Sequence, residues 1–470
     1  MAGEKGILEE YRPLFRPRSV AVVGATNNPF KLGFHALAAV RSAGFEGEIY
    51  PVHPHEEEVQ GLKAYPSVEA LPPGVELFVF AVPGPVAVEE VGKAASRGAR
   101  AGVIFAGGFR ETGGEGENLQ RELVLRAGRS GMKIVGPNCI GVLNPAGKLN
   151  ATFAFPLSWF PPGNVSVVSQ SGGMGNVILN HMLDERVGLA KFVSLGNRAN
   201  VDFHHMLEYL AEDPETRVIC LFVEGIDRGR DFMEKAREAS ARKPVLVYSR
   251  GFSGKASRTA LSHTGSSATS EEIYRGAFRQ AGIIPVESAE ELVCVAKAFS
   301  LDSVPPGPGV FMCTHTAGPA IALAEICERG GLRFPDLRPD LAAAMEGFLP
   351  PGVVPGNPLD AFAFAWTDPS IYLRTVDLAL SQEDIHAAVA VFASGAASGI
   401  DFPFREYAEL GRKHGKPVFL CLLAPFLAPG ELDRAREEGI PAFNTPEKTG
   451  RALVRAAEYR KLSRSRGIPG

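Results

Sequence analysis

In this 470-residue chain, the segment Ala260-Leu261-Ser262-His263-Thr264-Gly265 sets a histidine among hydroxyl and glycine residues, whereas a core histidine would sit among apolar ones. An imidazole with one ring nitrogen fixed by an acceptor presents the other as a neutral nucleophile that could carry a phosphoryl group. Glu224, at the end of the apolar run VICLFV, is the natural acceptor. Ser169-Gln170-Ser171-Gly172-Gly173 follows another apolar run and leads into the helical pattern MGNVILNHML. Free N–H groups and the positive end of the helix dipole at Ser171, Gly172 and Gly173 would form a seat for an oxyanion or phosphate. Each feature alone suits a structural role better. Their conjunction within one stretch of chain favours chemistry.

A second anion site is suggested near the amino terminus, in VAVVGATNNPFKLG. Gly24 permits a tight turn after a strand, Thr26 or Asn27 can cap the following helix, and backbone N–H groups face a ligand. The dinucleotide pattern G-x-G-x-x-G is absent, because position 26 is Thr and position 29 is Pro. The second strand ends in Val52-His53-Pro54 rather than an acidic residue that would hold a ribose hydroxyl, so a phosphate-bearing nucleotide other than NAD is expected. Further candidate edges are Pro83-Gly84-Pro85, Ala106-Gly107-Gly108-Phe109 and Gly136-Pro137-Asn138-Cys139, where Cys139 reads as a buried structural thiol. Of the other histidines, His181 and His386 read as helix-packing residues, and His35, His53, His55 and His414 as turns or exposed ends. His204 and His205 share a helix with no second ligand pair nearby. His315, in Cys313-Thr314-His315-Thr316-Ala317-Gly318, ends a strand and is a secondary candidate.

The elements that must hold these groups recur as short β-branched runs, each followed by turn residues and a helical pattern, the signature of parallel βαβ units. One block holds runs at 19–25, 48–54, 77–83, 101–109 and 133–138, a second at 165–173, 191–197, 218–226, 243–251 and 283–286, and a third at 309–318, 387–395, 416–423 and 440–445. The loop FAFPLSWFPPGN and the cluster DSVPPGPG separate them, giving expected domains of 1–150, 151–303 and 304–470. Near-continuous apolar strands imply sheets covered on both faces, with ligands beyond the carboxyl ends of the strands.

Composition narrows the function classes. With 45% hydrophobic and 22% charged residues the chain is globular, and 49 basic against 53 acidic residues give no excess for binding nucleic acid. Six scattered cysteines form no C-x-x-C pair, so neither a zinc site nor a disulfide framework is expected, and no metal ligand set is assigned. The amino terminus carries no signal-peptide pattern and no apolar run reaches the ~20 residues of a span, so a soluble, cytoplasmic protein without a membrane role is expected.

The motifs SVAVVGAT, VGPNCIGVLNP, VSQSGGMG, SLGNRANVDF, VEGI and SHTG, followed by AFRQAGI, occur in the order found in ADP-forming acyl-CoA synthetases. Over about residues 11 to 460 the chain resembles the α subunit of that family, relatives of succinyl-CoA synthetase. The resemblance implies an N-terminal Rossmann-like CoA-binding domain followed by two flavodoxin-like parallel α/β domains. It implies that His263 is the phosphohistidine, that Glu224 orients it, and that Ser169, Ser171, Gly172 and Gly173 line the phosphate seat. Coenzyme A would be met by Gly24, Ala25, Thr26, Asn27, Val52, Pro83, Gly108 and Asn138. The implied reaction interconverts acyl-CoA, ADP and phosphate with a carboxylic acid, CoA and ATP, through an acyl phosphate. ADP or ATP with Mg would be held by an ATP-grasp β subunit, in a heterotetramer. Tyr248, Thr269, Asn200 and His315 depart from the family pattern, where Lys, Gly, Asp and Asn are usual. A second reading keeps the scaffold as a CoA- or acyl-CoA-binding regulatory protein without phosphoryl transfer.

Overall fold

The computed structural model describes residues 6–250, 271–393, 399–424 and 430–465. These form two compact units, Met1–Leu183 with Val187–Glu287, and Asp184–Arg186 with Ser288–Gly470.

The first unit contains two sheets. One is wholly parallel, in the order Glu48–Val52, Ser19–Val23, Leu77–Phe80, Ala101–Ile104, Lys133–Val135. Its three central strands are buried at every residue, as expected of strands with helices on both faces. The second sheet runs Ile284–Val286, Val245–Ser249, Val218–Val223, Pro162–Ser169, Leu189–Ser194, and then an antiparallel hairpin, Gly141–Asn144 with Leu149–Thr152. The expected boundary at 150 cuts through that hairpin, whose first strand belongs to this sheet: Val142 pairs with Val193 and Leu143 with Phe192. Its short strands are buried although they carry Asn and Thr, because those groups bond one another: Thr152 donates from both N and Oγ1 to Asn150 Oδ1, at 3.1 and 2.7 Å.

The two sheets of this unit share an apolar interior. Tyr11, Leu14 and Phe15 of helix Ile7–Phe15 pack in one cluster with Val103, Val135, Val168, Leu207, Tyr209 and Leu221. Phe15 stacks on Tyr209 at 4.8 Å between ring centroids.

The second unit is built on one parallel sheet, Leu359–Asp360, Val310–Thr314, Ala387–Ala393, Val418–Leu423, Ala442–Phe443. In each of the three sheets the second parallel strand in sequence lies outside the first, and the third lies on its other side. The strand order therefore reverses beside strands Ser19–Val23, Pro162–Ser169 and Val310–Thr314, and ligand crevices of open α/β sheets lie at such points. No described helix is long and apolar enough to cross a membrane.

Candidate functional site

At the first reversal point Gly24 leaves its strand at φ +86°, a conformation that glycine adopts freely. Its N–H donates to Val52 O at 3.0 Å, and a Cβ would lie 2.8 Å from Ala81 O and 2.6 Å from the Val82 side chain. Gly24, Ala25, Val52 and Pro83 are thereby gathered at the ends of three adjacent strands. Thr26 and Asn27 are not helix caps: the helix begins at Leu32 with Lys31 before it. Thr26 Oγ1 instead accepts from Asn28 N at 3.2 Å, and Asn27 Oδ1 accepts from Gln60 N at 2.8 Å while its amide donates to Glu58 O and Glu56. These side chains shape the loops, so the turn offers a ligand backbone rather than side chains.

Gly108 and Asn138 lie at the ends of the next two strands, where Asn138 N donates to Ala106 O at 2.8 Å. Gly108 and Phe109 donate their N–H groups to the Glu111 carboxylate at 2.6 and 3.1 Å. Glu111 also accepts from Asn197, whose Oδ1 accepts from Asn138 Nδ2 at 3.5 Å. Asn197 belongs to the loop after strand Leu189–Ser194, so it links this edge to the second sheet. Cys139 is buried, and burial pushes its thiol up to about 12, so it is no nucleophile at neutral pH.

At the second reversal point, Ser169 pairs with Ser194 on one side and Phe222 on the other, so these strands end level. Helix Gly172–Asp184 starts immediately after, with Ser171 Oγ accepting from Met174 N at 3.4 Å. Ser169 Oγ donates to Ser171 O at 2.6 Å, which shapes the turn ahead of Gly172 and Gly173. Between Ser169 and Ser171 sits Gln170, only 3% exposed. Its Oε1 accepts the N–H groups of Glu224 and Gly225 at 3.0 and 3.1 Å, while its buried Nε2 has no partner among the described residues. Gln170 therefore ties the carboxylate-bearing strand end to the helix start and leaves one donor unsatisfied beside it. His263 and Thr269 lie outside the described residues.

Ile226 N, two residues past Glu224, donates to Tyr274 OH of helix Glu271–Ala281 at 3.1 Å. Asp227 binds Arg110 Nη1 and Arg198 Nη2 at 2.9 and 3.0 Å. Although burial opposes it, these guanidinium groups hold its carboxyl below the usual range. Arg198 itself is buried and also donates to Gly225 O at 2.9 Å. Sequence reasoning had passed over Gln170, Asn197 and Arg198 as site residues, although all three stand inside quoted motifs. Asn200 has a structural reason for departing from Asp. Its Oδ1 accepts from Ile134 N at 2.7 Å and its Nδ2 donates to Met132 O at 2.9 Å, and a carboxylate could not donate. Tyr248 packs on Phe222 at 5.3 Å under the Arg250 guanidinium at 4.7 Å.

Among the other histidines, His35 lies on helix Leu32–Ser42 and not in a turn. His386 precedes a strand and accepts from Gly309 N through Nδ1 at 3.0 Å, so it is a loop staple and not a helix-packing residue. His205 completes the capping box of helix Phe203–Glu212 by accepting from Asp202 N at 3.1 Å.

Three family models match successive stretches of the chain. Residues 18–145 match the model of a CoA binding domain, 162–299 that of a succinyl-CoA ligase like flavodoxin domain, and 310–410 that of a Ligase-CoA domain. The chain is 35% identical over 462 residues to the α subunit of ADP-forming acetate–CoA ligase II of Pyrococcus furiosus, covering 97% of this chain and 98% of that one. The chain belongs to the ADP-forming acetate–CoA ligase α-subunit family. A longer member, ADP-forming acetate–CoA ligase I of Archaeoglobus fulgidus, is 35% identical, with 96% of this chain matching 64% of that protein. The family's fold is seen in a solved structure of Ca. Korarchaeum cryptofilum dinucleotide-forming acetyl-coenzyme A synthetase 1 in complex with phosphate and ADP. Its TM-score is 0.86 at 32% identity, with 97% and 98% of the two chains covered.

Proposed function

We propose that this chain is the α-type subunit of an ADP-forming acid–CoA ligase, interconverting acyl-CoA, ADP and phosphate with a carboxylic acid, CoA and ATP. The observation that carries the reading is the Gln170 bridge. It fixes the end of the Glu224 strand against the start of helix Gly172–Asp184 and keeps a buried amide donor beside it. A buried donor without a partner costs about 1–3 kcal/mol, and a phosphate oxygen would satisfy it. The helix start at half-buried Gly172 and exposed Gly173, with the helix dipole, adds to the same seat.

The first reversal point fits coenzyme A through backbone. Gly24, Ala25 and Pro83 crowd two adjacent strand ends, Gly108 has open space where a Cβ would stand, and Thr26, Asn27, Val52 and Asn138 shape the rim. Coenzyme A supplies the thiol that carries the acyl group. Ser169, Ser171, Gly172 and Gly173 hold the phosphoryl oxygens. Glu224 accepts one ring N–H of His263, so that the other ring nitrogen keeps its lone pair for phosphorus. Tyr274, by fixing Ile226, and Arg198, by binding Gly225 O, keep the Glu224 loop in place. The subunit naming of the Pyrococcus furiosus relative supports a partner chain. We assign that partner as an ATP-grasp β subunit holding ADP or ATP with Mg, in a heterotetramer.

Incubation with the β partner, ATP and a carboxylic acid should give an acid-labile phosphoprotein, and His263→Asn should abolish the label. An acid screen by hydroxamate formation then identifies the substrate. Label that survives His263→Asn without mapping to another histidine would overturn the phosphohistidine assignment.

A further inference from the structure

The second unit carries a histidine that the reading above does not use. His315 follows strand Val310–Thr314 at the point where that sheet's strand order reverses. Its setting in sequence, Thr-His-Thr-Ala-Gly, echoes the Ser-His-Thr-Gly around His263. The structure fixes its tautomer. Tyr372 OH donates to Val391 O at 2.7 Å, and a carbonyl can only accept, so the single phenolic proton is used there. Toward His315 Nδ1, at 3.1 Å, the phenolic oxygen can therefore only accept. Nδ1 carries the proton, and Nε2 keeps its lone pair.

The surroundings hold the ring in that form. The imidazole lies edge-on to Phe392 at 5.8 Å, and Tyr372 is fully buried. Burial lowers the ring's affinity for a proton, opposed by the Val391 carbonyl and the Asp360 carboxylate, so it is neutral near pH 7. Asp360 is itself engaged, accepting from Phe362 N at 2.9 Å. Directly after His315, Thr314 Oγ1 accepts from Thr316 N at 3.0 Å, and helix Ala317–Arg329 opens with Ala317 and Gly318 exposed and no side-chain cap. A neutral, tautomer-fixed nucleophile next to uncapped backbone N–H groups suits an electrophile that is itself anionic, and a phosphoryl group is that combination.

We infer that His315 is a second phosphoryl acceptor, taking the group at Nε2 from an acyl phosphate. It rests on the reading above only for the identity of that donor. In the step the Nε2 lone pair forms the P–N bond as the P–O bond breaks, and the bonding electron pair leaves on the carboxylate. No proton moves. Nδ1–H stays donated to Tyr372, and the ring carries the positive charge beside the phosphoryl oxygens. Tyr372 is a positioning residue, since it acts through the ring.

The test uses the full chain with acetyl phosphate as donor. The His263→Asn chain should retain an acid-labile, base-stable phosphate on the peptide containing residues 313–318. The double variant with His315→Asn should lose it, and His315→Gln provides a second replacement should the first not fold. Tyr372→Phe, on the His263→Asn background, should slow labelling at least tenfold and let the Nδ1-H and Nε2-H tautomers mix in the imidazole 15N spectrum, which a purely structural role would not do. Label confined to His263 overturns the inference and leaves the ligase reading standing. Label on His315 with none on His263 supports the inference and counts against that reading, and no label on either overturns both.

Discussion

Replacing Gln170 by leucine keeps most of the side-chain volume but removes the acceptor shared by Glu224 N and Gly225 N. Gln170 is 3% exposed and Gly225 is buried, so water has little access to the amides left behind. A buried unpaired N–H costs about 1–3 kcal/mol, and with the buried Gly225 amide and the half-buried Glu224 amide both affected, Gln170→Leu should lose about 2–4 kcal/mol. For the large first unit that is a fall in melting temperature of roughly 4–8 °C, at the lower slope expected of bigger domains. Gln170→Glu is the contrasting change, because a carboxylate still accepts from both amides, in charge-assisted bonds, and should melt within about 1 kcal/mol of the parent. It removes the Nε2 donor, however, and puts a negative charge at the proposed phosphate seat. Two like charges about 6 Å apart repel by about 3 kcal/mol at an effective dielectric of about 20, or roughly a hundredfold in phosphate affinity. Calorimetric melting and phosphate titration of the two variants should therefore separate, with Leu impairing stability and Glu impairing binding. A Gln170→Glu chain that binds phosphate like the parent would remove the anion seat from this turn. A Gln170→Leu chain with unchanged melting would show that the bridge is not needed to hold the Glu224 strand end.

Glu224→Gln should leave melting unchanged within about 1 kcal/mol and lower the rate of His263 phosphorylation by about 10²-fold, read by quenched-flow labelling. Gly24→Ala should cost about 2–4 kcal/mol in urea unfolding and weaken CoA binding, since its Cβ would meet Ala81 O at 2.8 Å from a backbone at φ +86°. His205, held down to about 4 by burial, His204 and Lys133, is stabilising while neutral. Folding stability should therefore be full above about pH 6.5 and fall as pH drops through about 4, and His205→Gln, which can still cap, should flatten that profile in urea titrations. Alkylation by iodoacetamide at pH 8 should spare Cys139 in the folded chain, and Cys139→Ser should keep ligase activity; loss of activity would give the thiol a role its burial denies.

The strands were legible because parallel sheets buried on both faces write themselves as unbroken β-branched runs, such as SVAVV and VICLFV. The hairpin Gly141–Thr152 was not, because GVLN and LNAT are short and its buried Asn150 and Thr152 satisfy each other across two residues. The turn that opens helix Gly172–Asp184 could be read from its glycines and serines. The Gln170 bridge could not, since it joins residues 54 and 55 positions apart. Thr26 and Asn27 looked like caps by residue type, but the chain runs on to Leu32 before the helix starts, and their side chains turn to loop bonds within reach. The tautomer of His315 depends on a tyrosine 57 residues away, which spacing along the chain does not reveal.

The common interior of the first unit bears on how the molecule can be divided or engineered. Val103 and Val135 share one oily seam with Val168 and Leu221, and the aromatic pair Phe15 and Tyr209 straddles it. A cut in the connector at 153–161 would strip solvent-averse surface on both fragments at once, so neither half should survive as a soluble piece. The two sheets are thus cast as one block, and swapping the portion 18–145 between relatives would demand a matching second sheet.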